Sequence, residues 1–202
     1  MHNNRKRLII ITFAICAVLI LGGALWLLEF LEDRNSITNS ELPELNFYSP
    51  DYEVNILDDT EYLELNRIIS YRNGPLKITV SPEDYLATDP VLAFLADMID
   101  TMINGNYSEY PNYFSEKYKS ENTLPEKFTM QRLYNITVER ISEEKDEDGN
   151  TLLVYMMDYM ISKNDGTLRR DMDSDASRPW YLVIKNENGE YKIYNILTYS
   201  NR

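Results

Sequence analysis

The chain holds one cysteine and one histidine in 202 residues, Cys16 and His2, both close to the N-terminus. Beyond Cys16 there is no thiol for a disulfide or a thiolate nucleophile. Nor is there an imidazole for a Ser–His or Cys–His pair, or the usual nitrogen and sulfur ligands of zinc. Whatever folds there must be held by packing alone, even in an oxidising compartment. Glycine is scarce as well, at seven residues. Gly22 and Gly23 lie in an apolar run, and Gly74, Gly105, Gly149, Gly166 and Gly189 each fall at a foreseen helix end or turn. None is left for a phosphate-binding loop. Basic charge is in short supply too, with 20 Lys and Arg against 33 Asp and Glu. All the acidic residues except Glu29, and all the basic ones except Arg5, Lys6 and Arg7, lie from Glu32 onward: 32 against 17, a net of 15 negative charges. Such a surface repels phosphate backbones, so nucleic acid is excluded as a partner.

One long hydrophobic run is present. Leu8 to Leu28 carries no charge, and 21 residues at about 1.5 Å each span roughly the thickness of a bilayer core. Arg5, Lys6 and Arg7 precede it and Glu29, Glu32 and Asp33 follow, a bias that leaves the N-terminus in the cytoplasm and the rest of the chain outside. The run is longer than a signal-peptide core and exits through Leu27-Leu28-Glu29-Phe30-Leu31, without a small-x-small cleavage site. The expected organisation is a cytoplasmic tail over 1–7 and a transmembrane helix over 8–31, with Leu8 to Leu31 as the membrane contact. A stalk over 32–58 and an extracytoplasmic domain over 59–202 follow.

In the outer part, Asp59 is a candidate N-cap for a helix over 60–72, with Tyr62, Leu63, Ile68 and Ile69 as its apolar positions and Gly74 just past its end. Asp89 and Pro90 open a stronger helix, in which Val91, Leu92, Leu95, Met98, Ile99, Met102 and Ile103 recur at helical spacing before Gly105. Ser108 is placed to cap a further helix with Tyr110, Tyr113, Phe114 and Tyr118 on one face, completing a helical hairpin.

After Pro125 the pattern turns to alternation, which predicts four strands over 134–142, 152–162, 180–186 and 191–199. Asp148-Gly149 lies between the first two and Asn188-Gly189 between the last two, both tight-turn dipeptides, and Asp165-Gly166 turns the chain after the second strand. The expected fold class is α+β, with helices on one face of a curved four-stranded antiparallel sheet.

The terminal hairpin carries a resemblance. Arg178-Pro179-Trp180-Tyr181-Leu182-Val183-Ile184 followed by Asn188-Gly189-Glu190-Tyr191-Lys192-Ile193 is similar to the last hairpin of nuclear transport factor 2-like, or cystatin-like, domains. The likeness extends over about 88–199. That superfamily includes the inner-membrane assembly subunit of type IV secretion and conjugation systems, whose layout of short tail, single helix and outer domain this chain resembles. The resemblance implies a cone-like sheet and a role in assembly at a bacterial-type envelope. Enzymes of the superfamily often use a pocket His or Asp, and the outer part of this chain has no His.

Candidate chemistry is correspondingly thin. Asp171, Asp173 and Asp175 alternate as at the start of a calcium loop, but Ala176 stands at the turn glycine's place and Leu182 at that of the closing Glu. With Arg169 and Arg170 just before them, a locally paired exposed connection is expected instead. No catalytic, cofactor or metal residue is assigned and the domain is expected not to be an enzyme. The aromatic residues Tyr113, Phe114, Tyr118, Tyr155, Tyr159 and Trp180 either pack the core or line a cavity between helices and sheet. The function expected is an extracytoplasmic interaction or assembly module. Its partners are envelope proteins with basic surfaces, further copies of the chain among them. The alternative is a small-ligand binder or sensor using that cavity.

Overall fold

The computed structural model describes residues 45–146 and 149–197. The tail over 1–7, the membrane span over 8–31, the first part of the stalk, Asp148 and the last residues of the fourth predicted strand lie outside them. Among the described residues no helix is long and apolar enough to cross a membrane. The chain from Leu45 onward forms one compact unit.

Residues 45–58, expected as the end of a stalk, lie along this unit instead. Ile56 is only 1% exposed, in the core, and the Tyr48 and Asn46 amides donate to Asn164 O and Asp173 Oδ1 at 2.9 and 3.0 Å.

Asp59 caps as expected, its Oδ1 accepting from the Glu61 and Tyr62 amides, but helix α1 covers only Thr60–Leu63. The helix expected to run on to Arg72 is overturned. The segment becomes strand β1, Ser70–Asn73, which turns at Gly74-Pro75 into β2, Leu76–Thr79. Helical spacing of Ile68 and Ile69 misled here, because burial alternates: Ile69 and Tyr71 are buried while Ile68 is exposed, the period of a strand. Gly74, at φ +55°, occupies the first central position of the two-residue turn, where a side chain would be strained.

A 3-10 turn and the short α2, Tyr85–Thr88, lead into α3, Pro90–Ile103, the expected strong helix within the bounds its signals set. Asp89 Oδ1 accepts from the Val91 amide at 2.8 Å, and Gly105 follows the end at φ +67°. The third predicted helix is a second correction. Tyr110–Tyr113 form a 3-10 turn, Phe114 is extended, and α4 spans Glu116–Glu121 with Ser115 as its cap. The Ser115 amide donates to Ile193 O at 3.0 Å, a bond to the sheet that requires extended chain where a helix was expected.

The four predicted strands are present as β3, Arg132–Lys145; β4, Thr151–Ser162; β5, Trp180–Glu187; and β6, Glu190–Leu197. The sheet nevertheless has six strands in the order β2-β1-β3-β4-β5-β6, antiparallel throughout except for the parallel pair β1 and β3. The four-stranded expectation fails because β1 and β2 were read as helix and loop. The fold class, α+β, stands. Asn188 and Gly189 both have positive φ, 55° and 96°, as the β5–β6 hairpin turn demands.

Between α3 and the sheet the interior is filled. Leu92, Leu95, Met98 and Met102 of α3 and Leu133, Val138, Met157, Leu182, Ile184 and Ile193 of the sheet are each 0% exposed and belong to one buried cluster.

Candidate functional site

The six aromatic residues expected to line one cavity are distributed among three pockets and the core. Phe114, Tyr118 and Trp180 line the largest of the three, a pocket of about 650 Å³, together with Tyr110, Leu124, Leu168, Ile196 and the charged Glu126, Lys127 and Arg170. Tyr155 lines a second pocket of about 470 Å³, and Tyr113 a third of about 520 Å³. Tyr159 is buried, its ring edge-on to Trp180 at 6.0 Å between centroids.

In the largest pocket the aromatic wall is a packed ladder. Tyr110 meets Phe114 edge-to-face at 5.1 Å and Phe114 stacks on Tyr118 at 5.0 Å. Ser115 fixes the last of these, since its Oγ accepts from the Tyr118 amide at 3.1 Å. The opposite wall belongs to the β4–β5 loop, which is organised by the fully buried Asn164. Its Nδ2 donates to Arg169 O and Met172 O at 3.0 and 2.8 Å, and its Oδ1 accepts from the Gly166 amide at 3.0 Å. These bonds hold the loop in a form that turns Leu168 and Arg169 inward and leaves Arg170 exposed.

Arg169 is the functional-looking residue that the sequence concealed. Its neighbours in sequence suggested an exposed, paired arginine, yet it is 2% exposed. The pairing expectation is met: Nε and Nη2 donate to the two carboxylate oxygens of Asp171 at 2.6 and 2.9 Å. The rest of the guanidinium donates to Tyr159 Oη at 3.0 Å and Arg178 O at 3.1 Å and lies 4.3 Å from the Trp180 ring centroid. Burial pushes the Asp171 carboxyl up, but hydrogen bonds and charge from Arg169, with Arg178 beyond, outweigh it and hold the carboxyl below its ordinary value. Arg169 thus braces the back of Trp180 and is spent on internal partners.

The second pocket is floored by a buried acid. Asp89 Oδ2 accepts from Tyr71 Oη at 2.6 Å and Tyr155 Oη at 2.7 Å, with Arg140 and Glu143 also in the lining. Burial, together with the hydrogen bond and charge of Asp89, pushes the Tyr71 phenol up to about 12 and raises that of Tyr155 as well. Such phenols stay protonated donors. In the third pocket Tyr113 Oη donates to Asp97 Oδ2 at 2.6 Å and lies 2.9 Å from Thr101 Oγ1. Burial first, and the Asp97 bond next, push this phenol up to about 12. In both pockets a carboxylate accepts from phenol hydroxyls, bonds that help to fix the structure.

The alternating aspartates part company. Asp171 serves Arg169, Asp173 the Asn46 amide, and Asp175 Oδ1 accepts from Tyr134 Oη at 2.8 Å. Among the described residues no group of three or more His, Cys, Asp or Glu is placed to hold a metal ion.

Fold and pockets together define an α+β domain with a six-stranded, mostly antiparallel sheet, a large buried core and binding-sized pockets bordered by helices, strands and loops. Compared with protein-family models, curated proteins and solved structures, the chain finds no match in any of the three.

Proposed function

We propose that this chain is a non-enzymatic interaction or assembly module of a bacterial-type cell envelope, held by residues 8–31 in the membrane with its N-terminus in the cytoplasm and its α+β domain outside. The observation that supports this most is the filled interior. A ligand-binding or catalytic reading placed its cavity between helices and sheet, where fully buried side chains of α3 and β3 to β6 occupy most of the space and the start of α3 borders the pocket floored by Asp89. The buried Asp89 and the exposed Asp97, the acids of the second and third pockets, act as acceptors for tyrosine.

The resemblance of residues 178–193 to the terminal hairpin of nuclear transport factor 2-like domains, and of the expected tail, single helix and outer domain to the layout of that superfamily's assembly subunits, points the same way and suggests a place in conjugative transfer. The acid excess of the outer part favours partners with basic faces, drawn by an attraction that salt screens over about 10 Å at 0.1 M. Tethering to the membrane raises the effective concentration of neighbours, so weak contacts suffice.

Cross-linking in the native membrane, with identification of the captured chains, tests the reading. Capture of other envelope proteins, reduced at high salt, is the expected result. A monomer that captures nothing at any salt concentration overturns it. Orientation is tested separately by protease added to intact protoplasts, which should digest the chain beyond Asp33; protection until the membrane is broken would reverse the topology.

A further inference from the structure

The pocket of about 650 Å³ lies between the 110–118 segment, the segment over 123–127, the β4–β5 loop and the sheet residues Trp180 and Ile196. We propose that it is a binding site for a small organic monoanion, an aromatic or branched-aliphatic body carrying one carboxylate.

Size and wall chemistry fit the body. About 650 Å³ lies within the range of small-molecule pockets. Phe114, Tyr118, Leu168 and Trp180 supply apolar and aromatic contact.

The charge pattern fits the head. In an acidic chain most described cations are held by carboxylates: nine Lys and Arg residues form ion pairs. Arg170 and Lys127, which both line this pocket, belong to the minority with none. Arg170 is anchored by its Nε, which donates to Gly166 O at 3.1 Å, so Nη1 and Nη2 remain as an unpartnered fork among the described residues. That fork matches the two oxygens of a carboxylate. Lys127 Nζ rests 4.0 Å from the Tyr52 ring centroid, a contact that leaves its charge uncompensated. Glu126 is the one carboxylate in the lining, so the pocket carries a net positive charge within a domain of opposite sign. An anion meets local attraction here within a domain whose net charge repels it, and a cation meets the reverse.

Trp180 is a built-in reporter, since Trp26 and Trp180 are the chain's two tryptophans. In the full-length chain carrying Trp26→Phe, titration with 3-phenylpropionate should change Trp180 fluorescence saturably. The uncharged 3-phenylpropionamide should bind about tenfold more weakly, the difference between a charge-assisted and a neutral hydrogen-bonded contact. Arg170→Gln should bring the acid down to the affinity of the amide while leaving the amide unchanged, which also shows that the variant is folded. Glu126→Gln should tighten the acid. No saturable change up to roughly 10 mM, equal affinity for acid and amide, or an Arg170→Gln variant that still distinguishes them would each overturn the proposal.

Discussion

The hydroxyl of Tyr155 on β4 donates to Oδ2 of Asp89 at 2.7 Å, across 66 positions of sequence. The same oxygen accepts from Tyr71 on β1, while Oδ1 caps α3 through the Val91 amide. One carboxylate therefore starts the main helix and ties it to two strands. Asp89→Ala removes a cap worth about 1 kcal/mol and strands two buried hydroxyls at about 1–3 kcal/mol each. A loss of about 3 kcal/mol or more is expected in denaturant unfolding. Asp89→Asn, which keeps an acceptor for the Val91 amide, should lose clearly less; equal losses would show that the retained acceptor, and with it the cap, carries no weight.

Leu95 is wholly buried in α3, whereas Leu86 in α2 is 68% exposed. Leu95→Ala should cost about 2–5 kcal/mol through lost burial and the cavity it leaves, and Leu86→Ala within about 0.5 kcal/mol. Thermal melts of the two variants compare them, and similar losses would mean that the interior beneath α3 is not tightly packed.

Gly105 differs from Gly149 although both have positive φ, +67° and +82°. A methyl group at Gly105 would sit 3.0 Å from Met130 N and 3.2 Å from Thr129 C, backbone atoms that cannot swing aside, while none lies within 4 Å at Gly149. Gly149→Ala should lose only the strain of the left-handed region, about 1–2 kcal/mol. Gly105→Ala should lose more, and a smaller loss would show that the 129–130 segment yields.

Asp146 Oδ2 accepts from Lys185 Nζ at 3.0 Å, and its two oxygens take three hydrogen bonds from Asn150. The Asn150 side chain first, helped by Lys185 and the Asn150 amide, pulls the Asp146 carboxyl down to about 2 from 3.8. Because the folded value is the lower one, the stabilisation is present above pH 3.8 and is lost as pH falls towards 2. Melting followed between these limits should fall more steeply for the native chain than for Asp146→Asn, and parallel curves would remove the linkage.

Local signals carried far where they agreed with one another. Asp89, Pro90, the apolar spacing and Gly105 all spoke for α3, and alternation with Gly-containing turns spoke for β3 to β6. The β1–β2 hairpin was missed because Ile68 and Ile69 satisfy a helical stripe, and the deciding fact, that Tyr71 must reach Asp89, is tertiary. The aromatic residues were legible as important but not as to place. The pocket of Phe114, Tyr118 and Trp180 is closed by the β4–β5 loop, whose form rests on the buried Asn164 and Arg169, two polar residues that sequence alone assigns to the surface.

The parallel pairing of β1 with β3 sets the order in which the domain can be completed during synthesis. The ribosome delivers the β1–β2 hairpin first, and a two-stranded hairpin is marginal in water on its own. It must wait, with Ile69 and Tyr71 uncovered, until all of α3, α4 and β3 have emerged. Closing so long a loop is slow, so the N-terminal hairpin is the part most exposed to chaperones and proteases before the chain is finished, and its docking is the event that ends that exposure.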